Sequence, residues 1–228
     1  MLGILGGMGP QATQFFYQKI IDLTPATSDQ DHIPTLILSD PSLPDRTSAI
    51  LSNETDEVGN LLIKNAKKLE NAGATVIVMP CNTAHYWAHS IQKELNVPFI
   101  NMIELLASHI KQKYIGKKIG LFSTVGTSKS EIYQKIFRVH DLNVLSPHAI
   151  TQEKTSQIIK DIKAGHSLPP LSRKIEFEIE RWQHEDNIKC FILGCTELPL
   201  LFNDFSPDYV IDPMEILAKH VVKKLFKL

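Results

Sequence analysis

The sequence predicts an α/β protein of two similar parallel-sheet domains, related by a pseudo-two-fold, with an active site in the cleft between them. Three observations carry that expectation. Short apolar runs alternate with longer amphipathic stretches, the chain repeats itself internally, and the repeat matches one cysteine with another.

The runs LGILGG (2–7), PTLILSD (34–40) and TVIVMP (75–80) read as strands bounded by Gly, Pro and polar residues. TDEVGNLLIKNAKKLENAG (55–73) places Val58, Leu61, Leu62, Ala66 and Leu69 at helical spacing and stops at Gly73, a C-terminal cap. Strand, helix, strand at this rhythm gives βαβ units with right-handed crossovers and a parallel sheet. The second half repeats the theme with KKIGLFST (117–124), NVLSP (143–147) and IKCFILG (188–194), and helices are expected over 128–139, 151–163, 171–186 and 213–226.

LGILGGMGPQATQFFYQKI (2–20) lies over IGLFSTVGTSKSEIYQKI (119–136) with one single-residue gap. Gly3 then matches Gly120, Gly9 matches Gly126, and the two YQKI segments coincide. Further on, VIVMPCNT (76–83) lies over CFILGCTE (190–197), which sets Cys81 against Cys195. Either match alone is weak. Together they keep order and spacing, 78 residues from Gly3 to Cys81 and 75 from Gly120 to Cys195. A duplicated lobe follows, with one thiol from each lobe directed at a shared cleft. The first lobe is expected over 1–98 and the second over 99–209, with the linker near NVPFINMIE (96–104). By topological analogy, a C-terminal helix in 210–228 returns to the first lobe.

Composition narrows the function. A chain of 228 residues buries roughly 70% of its unfolded surface. With a net charge of −1 and no long single-sign run, neither nucleic acid nor a membrane surface has electrostatic support as a partner. The start, MLGILGGMGP, lacks a basic n-region, and no window approaches ~18 uninterrupted apolar residues. Three cysteines do not make a disulfide framework, so the expected setting is a reducing cytoplasm.

The stretch VIVMPCNTAH (76–85) delivers Cys81 to a strand's carboxyl end, where open α/β sheets bind ligands. Two thiols on opposite sides of a stereocentre suit racemisation. One, as thiolate, removes a proton from one face, and the other, as thiol, returns a proton to the opposite face. Free cysteine ionises near 8.5 and its surroundings tune it. Both cysteines precede helix-forming residues, so helix N-termini are expected to cradle the thiolate and the substrate's α-carboxylate. Cys190, inside IKCFILG, reads as a core residue. A Cys81–Cys195 disulfide is disfavoured in a reducing compartment.

Other readings compete at the same residues. Cys81, His85 and His89 at i, i+4, i+8 resemble a metal-binding helix face, but no acidic partner or second cysteine pair accompanies them. His85 is expected to hydrogen-bond near the site and His89 to lie on the surface. Gly7-Met8-Gly9-Pro10-Gln11-Ala12 satisfies G-x-G-x-x-A, with Asp40 placed for a ribose, which admits an NAD(P)-dependent oxidoreductase. Pro10, however, lacks the N–H that a pyrophosphate would use. The matched turn Ser-Thr-Val-Gly-Thr (123–127) suits a small zwitterion better than one dinucleotide.

LGGMGP (5–10), PDRT (44–47), PCNTAH (80–85), STVGT (123–127) and GCTEL (194–198) resemble the cofactor-independent aspartate/glutamate racemase superfamily, with its aspartate racemase branch fitting best. The resemblance spans essentially the whole chain. It implies two similar α/β domains, catalysis by paired cysteines without pyridoxal phosphate or metal, and a homodimer. Cys81 and Cys195 match the catalytic pair. Asn82, Thr83, Thr196 and Glu197 match positions holding the amino-acid head group, and Met8 and Thr124 match pocket-lining positions. Arg46, and Lys163 in preference to Lys160, match the basic residues that recognise a side-chain carboxylate. An Arg fork suits that task bidentately, whereas Lys acts as a point charge.

The resemblance also marks a departure. Glutamate racemases usually carry histidine where this chain has Glu197, and a carboxylate there raises the neighbouring thiol's pKa unless offset. Broad-specificity and glutamate racemases are alternatives within the family. Retention of both cysteines argues against the single-cysteine arylmalonate decarboxylases. A non-catalytic acidic amino-acid binding protein is the alternative outside enzymes. The expected activity is interconversion of L- and D-aspartate.

Overall fold

The computed structural model describes residues 1–202 and 207–226; residues 203–206, within the second expected lobe, and 227–228, at the end of the expected returning helix, lie outside the described residues. The chain divides into two compact units, Met1–Leu105 with Met214–Leu228, and Leu106–Pro213.

Unit 1 runs β1 (Leu2–Gly6), α1 (Pro10–Leu23), β2 (Thr35–Ser39), α2 (Arg46–Ser52), α3 (Asp56–Asn71), β3 (Val76–Val78), α4 (Ala88–Glu94) and β4 (Phe99–Ile100). Its four strands are parallel in the order β2-β1-β3-β4. Helix α5 (Met102–Tyr114) carries the chain across the division. Unit 2 runs β5 (Lys118–Ser123), α6 (Val125–Ser130), α7 (Ile132–Val139), β6 (Asn143–Leu145), α8 (Ala149–Lys163), α9 (Leu168–Asp186), β7 (Cys190–Gly194) and β8 (Val210–Ile211). Its strands are also parallel, in the corresponding order β6-β5-β7-β8. Helix α10 (Pro213–Leu225) follows.

The internal repeat is written into strand register. Gly3 on β1 pairs with Ile77 on β3, and Gly120 on β5 pairs with Phe191 on β7, the pairing that the two sequence matches require of each other. Both glycines are forced by close approach. A Cβ on Gly3 would meet the Ala74 Cβ at 2.8 Å, and one on Gly120 would meet the Phe191 ring at 2.6 Å. Around Gly120, Phe122, Trp182 and Phe191 pack with ring centroids 5.3 to 5.6 Å apart.

Helix α3 shows why its sequence is helical. Val58, Leu62, Ala66 and Leu69 are buried on one stripe, Asp56 and Glu57 occupy the first turn, and Lys68 the last, each charge opposing the end of the helix dipole it faces. Unit 1 has a core on either face of its sheet. One joins Leu5, Met8, Leu62, Met79, Cys81 and Trp87. The other joins Leu2, Ile4, Phe16, Ile20 and Val78 to Leu217 and Val221 of α10.

Three expectations need correction. Residues 96–104, read as a linker, carry β4 and the start of α5, and β4 pairs with β3 inside the sheet. The helix expected over 128–139 is two helices, broken at Glu131, whose φ of 55° is left-handed. Finally, the residues after each cysteine form short 3-10 helices, Thr83–Trp87 and Leu198–Phe202, rather than α-helical N-termini. After Cys81 the 3-10 segment runs directly into α4, so the cysteine is followed by a tighter first turn of a longer helical stretch.

Candidate active site

In each sheet the chain first adds a strand on one side of the opening strand and then crosses to the other side. The switch points therefore lie between β1 and β3 and between β5 and β7. Ligands of open parallel sheets bind beyond the carboxyl ends of such strands. Gly7-Met8-Gly9 and Pro80-Cys81-Asn82 leave the first pair, and Thr124 and Cys195-Thr196 leave the second. Each unit thus presents one cysteine at its own switch point.

In unit 1 the glycine turn is held by protein. Gly7 has φ +93°, and a Cβ there would meet the Asp40 backbone at 2.3 Å. Its N–H donates to Thr13 Oγ1 at 2.9 Å, and Thr13 Oγ1 in turn donates to the Gly9 carbonyl at 3.0 Å. Asp40 is equally committed. Its Oδ1 accepts from the Ser42 N–H (3.1 Å) and hydroxyl (2.6 Å), and its Oδ2 from Asn65 Nδ2 (2.7 Å). These bonds hold its carboxyl below the usual range, Ser42's being the largest contribution. The groups that a dinucleotide reading would use are occupied in shaping the turn.

Cys81 is 5% exposed and shares an apolar cluster with Met8, Leu43, Met79 and Ala84. Its N–H donates to the Met79 carbonyl at 2.9 Å, closing a tight turn over Pro80. His85 secures this turn from below. Its Nδ1 lies 2.7 Å from the Cys81 carbonyl, and its Nε2 accepts the Met102 N–H at 3.0 Å. Those partners fix a neutral ring with the proton on Nδ1. Burial drops its pKa to about 4, against the smaller opposing pull of the Cys81 carbonyl. With both nitrogens engaged, neither is a metal ligand; His89 is exposed. Arg46 opens α2 behind Asp45, whose side chain caps the helix through Ser48. Arg46 Nη1 donates to the carbonyls of Leu43 (3.2 Å) and Pro44 (3.0 Å), which leaves the Nε/Nη2 edge of the guanidinium outside those bonds.

In unit 2 Thr124 caps α6, its Oγ1 accepting the Thr127 N–H at 3.2 Å. Gln152 of α8 braces the same turn, donating to the Ser123 carbonyl (2.9 Å) and accepting from Ser128 Oγ (2.7 Å). Cys195, Thr196 and Glu197 are all buried. The Cys195 Sγ donates to Glu197 Oε2 at 3.0 Å, and Thr196 Oγ1 donates to the same oxygen at 3.3 Å. On the other side Lys163 Nζ lies 3.9 Å from Glu197 Oε1. The thiol's pKa is pushed well up, first by burial and then by the Glu197 carboxylate, with Lys163 opposing.

A sequence profile described as Asp/Glu/Hydantoin racemase matches residues 5–221. The chain belongs to that family. It is, at this level, an amino-acid racemase of the Asp/Glu racemase family. Among its relatives is the Bacillus subtilis (strain 168) broad specificity amino-acid racemase RacX, 33% identical over 232 residues, covering 97% of this chain and 96% of that one. Among solved structures, the Picrophilus torridus aspartate racemase is 34% identical with a TM-score of 0.83, covering 98% of this chain and 93% of that one. An aspartate racemase homologue from Pyrococcus horikoshii OT3 is 28% identical with a TM-score of 0.79, covering 99% of each chain. The two parallel four-stranded sheets are those of the family's two-domain fold.

Against that family background, each unit gathers its own share of the residues singled out in the sequence. Met8 and Cys81 share one cluster, with Asn82 and Thr83 following Cys81 into the 3-10 turn. Lys163 is the lysine brought to Glu197, whereas Lys160 lines a surface cavity with Ser128, Gln152 and Ser156. One residue escaped the sequence reading. Tyr133 of α7 is fully buried, and its hydroxyl is held protonated by burial and by the fields of Asp212 and Cys195. The repeated YQKI could have flagged it, since the apolar helical face it occupies hid its polar end. Among the described residues no helix is long and apolar enough to cross a membrane.

Proposed function

We propose that this racemase interconverts L- and D-aspartate by two-base proton transfer, with Cys81 and Cys195 exchanging protons with opposite faces of Cα. The observation that carries the reading is the placement of matched cysteines at the switch points of two sheets with the same order and register. In this reading Asn82, Thr83, Thr124 and Thr196 hold the head group, and Met8 lines the pocket. The Nε/Nη2 edge of Arg46 takes the side-chain carboxylate bidentately, supported by Lys163. The substrate-bound protein works in the cytoplasm as a homodimer, without pyridoxal phosphate or metal. Broad specificity is the second reading, favoured by the relative from Bacillus subtilis that matches nearly end to end.

The test incubates the protein with L-aspartate in D₂O without added cofactor and follows optical rotation together with Cα deuterium. Loss of rotation with deuterium at Cα is expected. Absence of both, across several acidic amino acids, overturns the racemase reading. Replacing either cysteine by serine is expected to cut racemisation at least 100-fold, and full activity in both variants would remove the two-base scheme. Arg46→Leu is expected to lower kcat/KM for aspartate at least tenfold relative to alanine. An unchanged ratio would remove Arg46 from substrate choice and favour the broad reading.

A further inference from the structure

The two cysteines are matched in sequence but not in setting. Two residues past Cys81 stands Thr83; two residues past Cys195 stands Glu197. The Glu197 carboxylate is divided between two tasks. Oε2 faces Cys195 Sγ at 3.0 Å and Thr196 Oγ1 at 3.3 Å, while Oε1 faces Lys163 Nζ at 3.9 Å. A thiolate and a carboxylate cannot lie 3.0 Å apart in a buried site, for the reason that two carboxylates sharing a site cannot both ionise. One proton must lie between them, and cysteine, much the weaker acid, keeps it.

We propose that Glu197 is a positioning residue that holds Cys195 as the resting proton donor, and so assigns the acid role to Cys195 and the base role to Cys81 in the free enzyme. The inference rests on the reading of both thiols as the reacting pair. Glu197 acts through Cys195. Its carboxylate accepts the S–H, aims it, and opposes thiolate formation, while Lys163 Nζ lies beside its other oxygen. When Cys195 gives its proton to Cα, the S–H bond breaks, the C–H bond forms and the sulfur keeps the electron pair. Once the product has left, the thiolate so formed, facing Glu197, takes a proton from solvent while Cys81 releases to solvent the proton it removed from Cα, which resets the enzyme toward the same assignment. The equilibrium between enantiomers is untouched, as a catalyst requires.

Within its unit, Lys163 from α8 lies beside Glu197, and Tyr133 from α7 feels the fields of both Cys195 and Asp212, the residue that follows β8.

The experiment measures carboxamidomethylation of Cys195 by iodoacetamide as a function of pH, read by peptide mass spectrometry, in wild type, Glu197→Gln and Glu197→Asp. The amide lacks the charge that opposes the thiolate. The Cys195 midpoint is therefore expected to fall by about one pH unit or more in Glu197→Gln, with modification at pH 7.5 about tenfold faster. Glu197→Asp keeps the charge and is expected to stay nearer wild type. Cys190, buried on β7, is the internal control, because a loosened fold would raise its modification as well. A midpoint unmoved or raised in Glu197→Gln, or a rise shared equally by Cys190, overturns the proposal. The assay uses no substrate. A protein that shows the midpoint shift yet fails to racemise would sink the functional reading while leaving the Cys195–Glu197 assignment intact.

Discussion

His85 shows how a single residue can look like chemistry and serve architecture. Its spacing from Cys81 and His89 suggests a metal face, but its two nitrogens tie the Cys81 carbonyl to the Met102 N–H. A proton on Nε2 would break the second bond inside the core. The ring's pKa therefore falls from an unfolded value near 6.5 to about 4. The stability this neutral ring contributes is complete above pH 6.5 and is lost as pH falls through 4, at up to about 1.4 kcal/mol per pH unit. Urea unfolding of wild type is expected to show that loss between pH 6.5 and 4.5, and His85→Gln is expected to flatten it. Equal slopes in the two proteins would remove His85 as the cause. The sequence showed the His85 position near the site but not its tautomer, because the Met102 partner lies 17 residues away and only the fold brings it there. Glu197 was legible as a head-group position and as a departure from histidine, not as the thiol's partner. That its carboxylate turns back to the thiol two residues before it depends on a 3-10 turn that no periodicity announces.

At the scale of elements, strands with continuous apolar runs were readable, since a strand covered on both faces needs apolar side chains at every position. β4 and β8 were not, because two residues carry no period. Helix α9 begins at Leu168, ahead of the expected 171, with Pro169 and Pro170 in its first turn. Proline reads as a breaker in sequence, but first-turn N–H groups have no intrahelical partner to lose. The break at Glu131 was hidden because residues on either side keep a helical pattern. The paired glycines give a direct check. Gly120→Ala drives a Cβ into Phe191 and Trp182, so a loss of about 1–3 kcal/mol and a melting temperature lower by at least about 2 °C are expected. An unchanged melting temperature would mean that the ring cluster yields more easily than its spacing implies.

At the scale of the whole molecule, the repeat was the most legible feature, because duplicated register imposes duplicated spacing on the sequence. Less legible was the cost of returning α10 to unit 1, where Met214, Leu217, Ala218 and Val221 complete a core begun by Leu2, Ile4, Phe16 and Ile20. A chain ending at Asp212 is expected to expose that face, to bind 1-anilinonaphthalene-8-sulfonate strongly, and to aggregate on warming; a peptide of residues 213–228 added in excess is expected to suppress the dye signal. Weak dye binding by the truncated chain would show that unit 1 closes without α10. The same arrangement has a consequence during synthesis. The unit that leaves the ribosome first is the last to be finished, since its closing helix is translated only after all of unit 2. At roughly 5–20 residues per second, the nascent chain carries an open apolar face for several seconds or longer. That interval, rather than the stability of the finished fold, is when this protein most needs a chaperone.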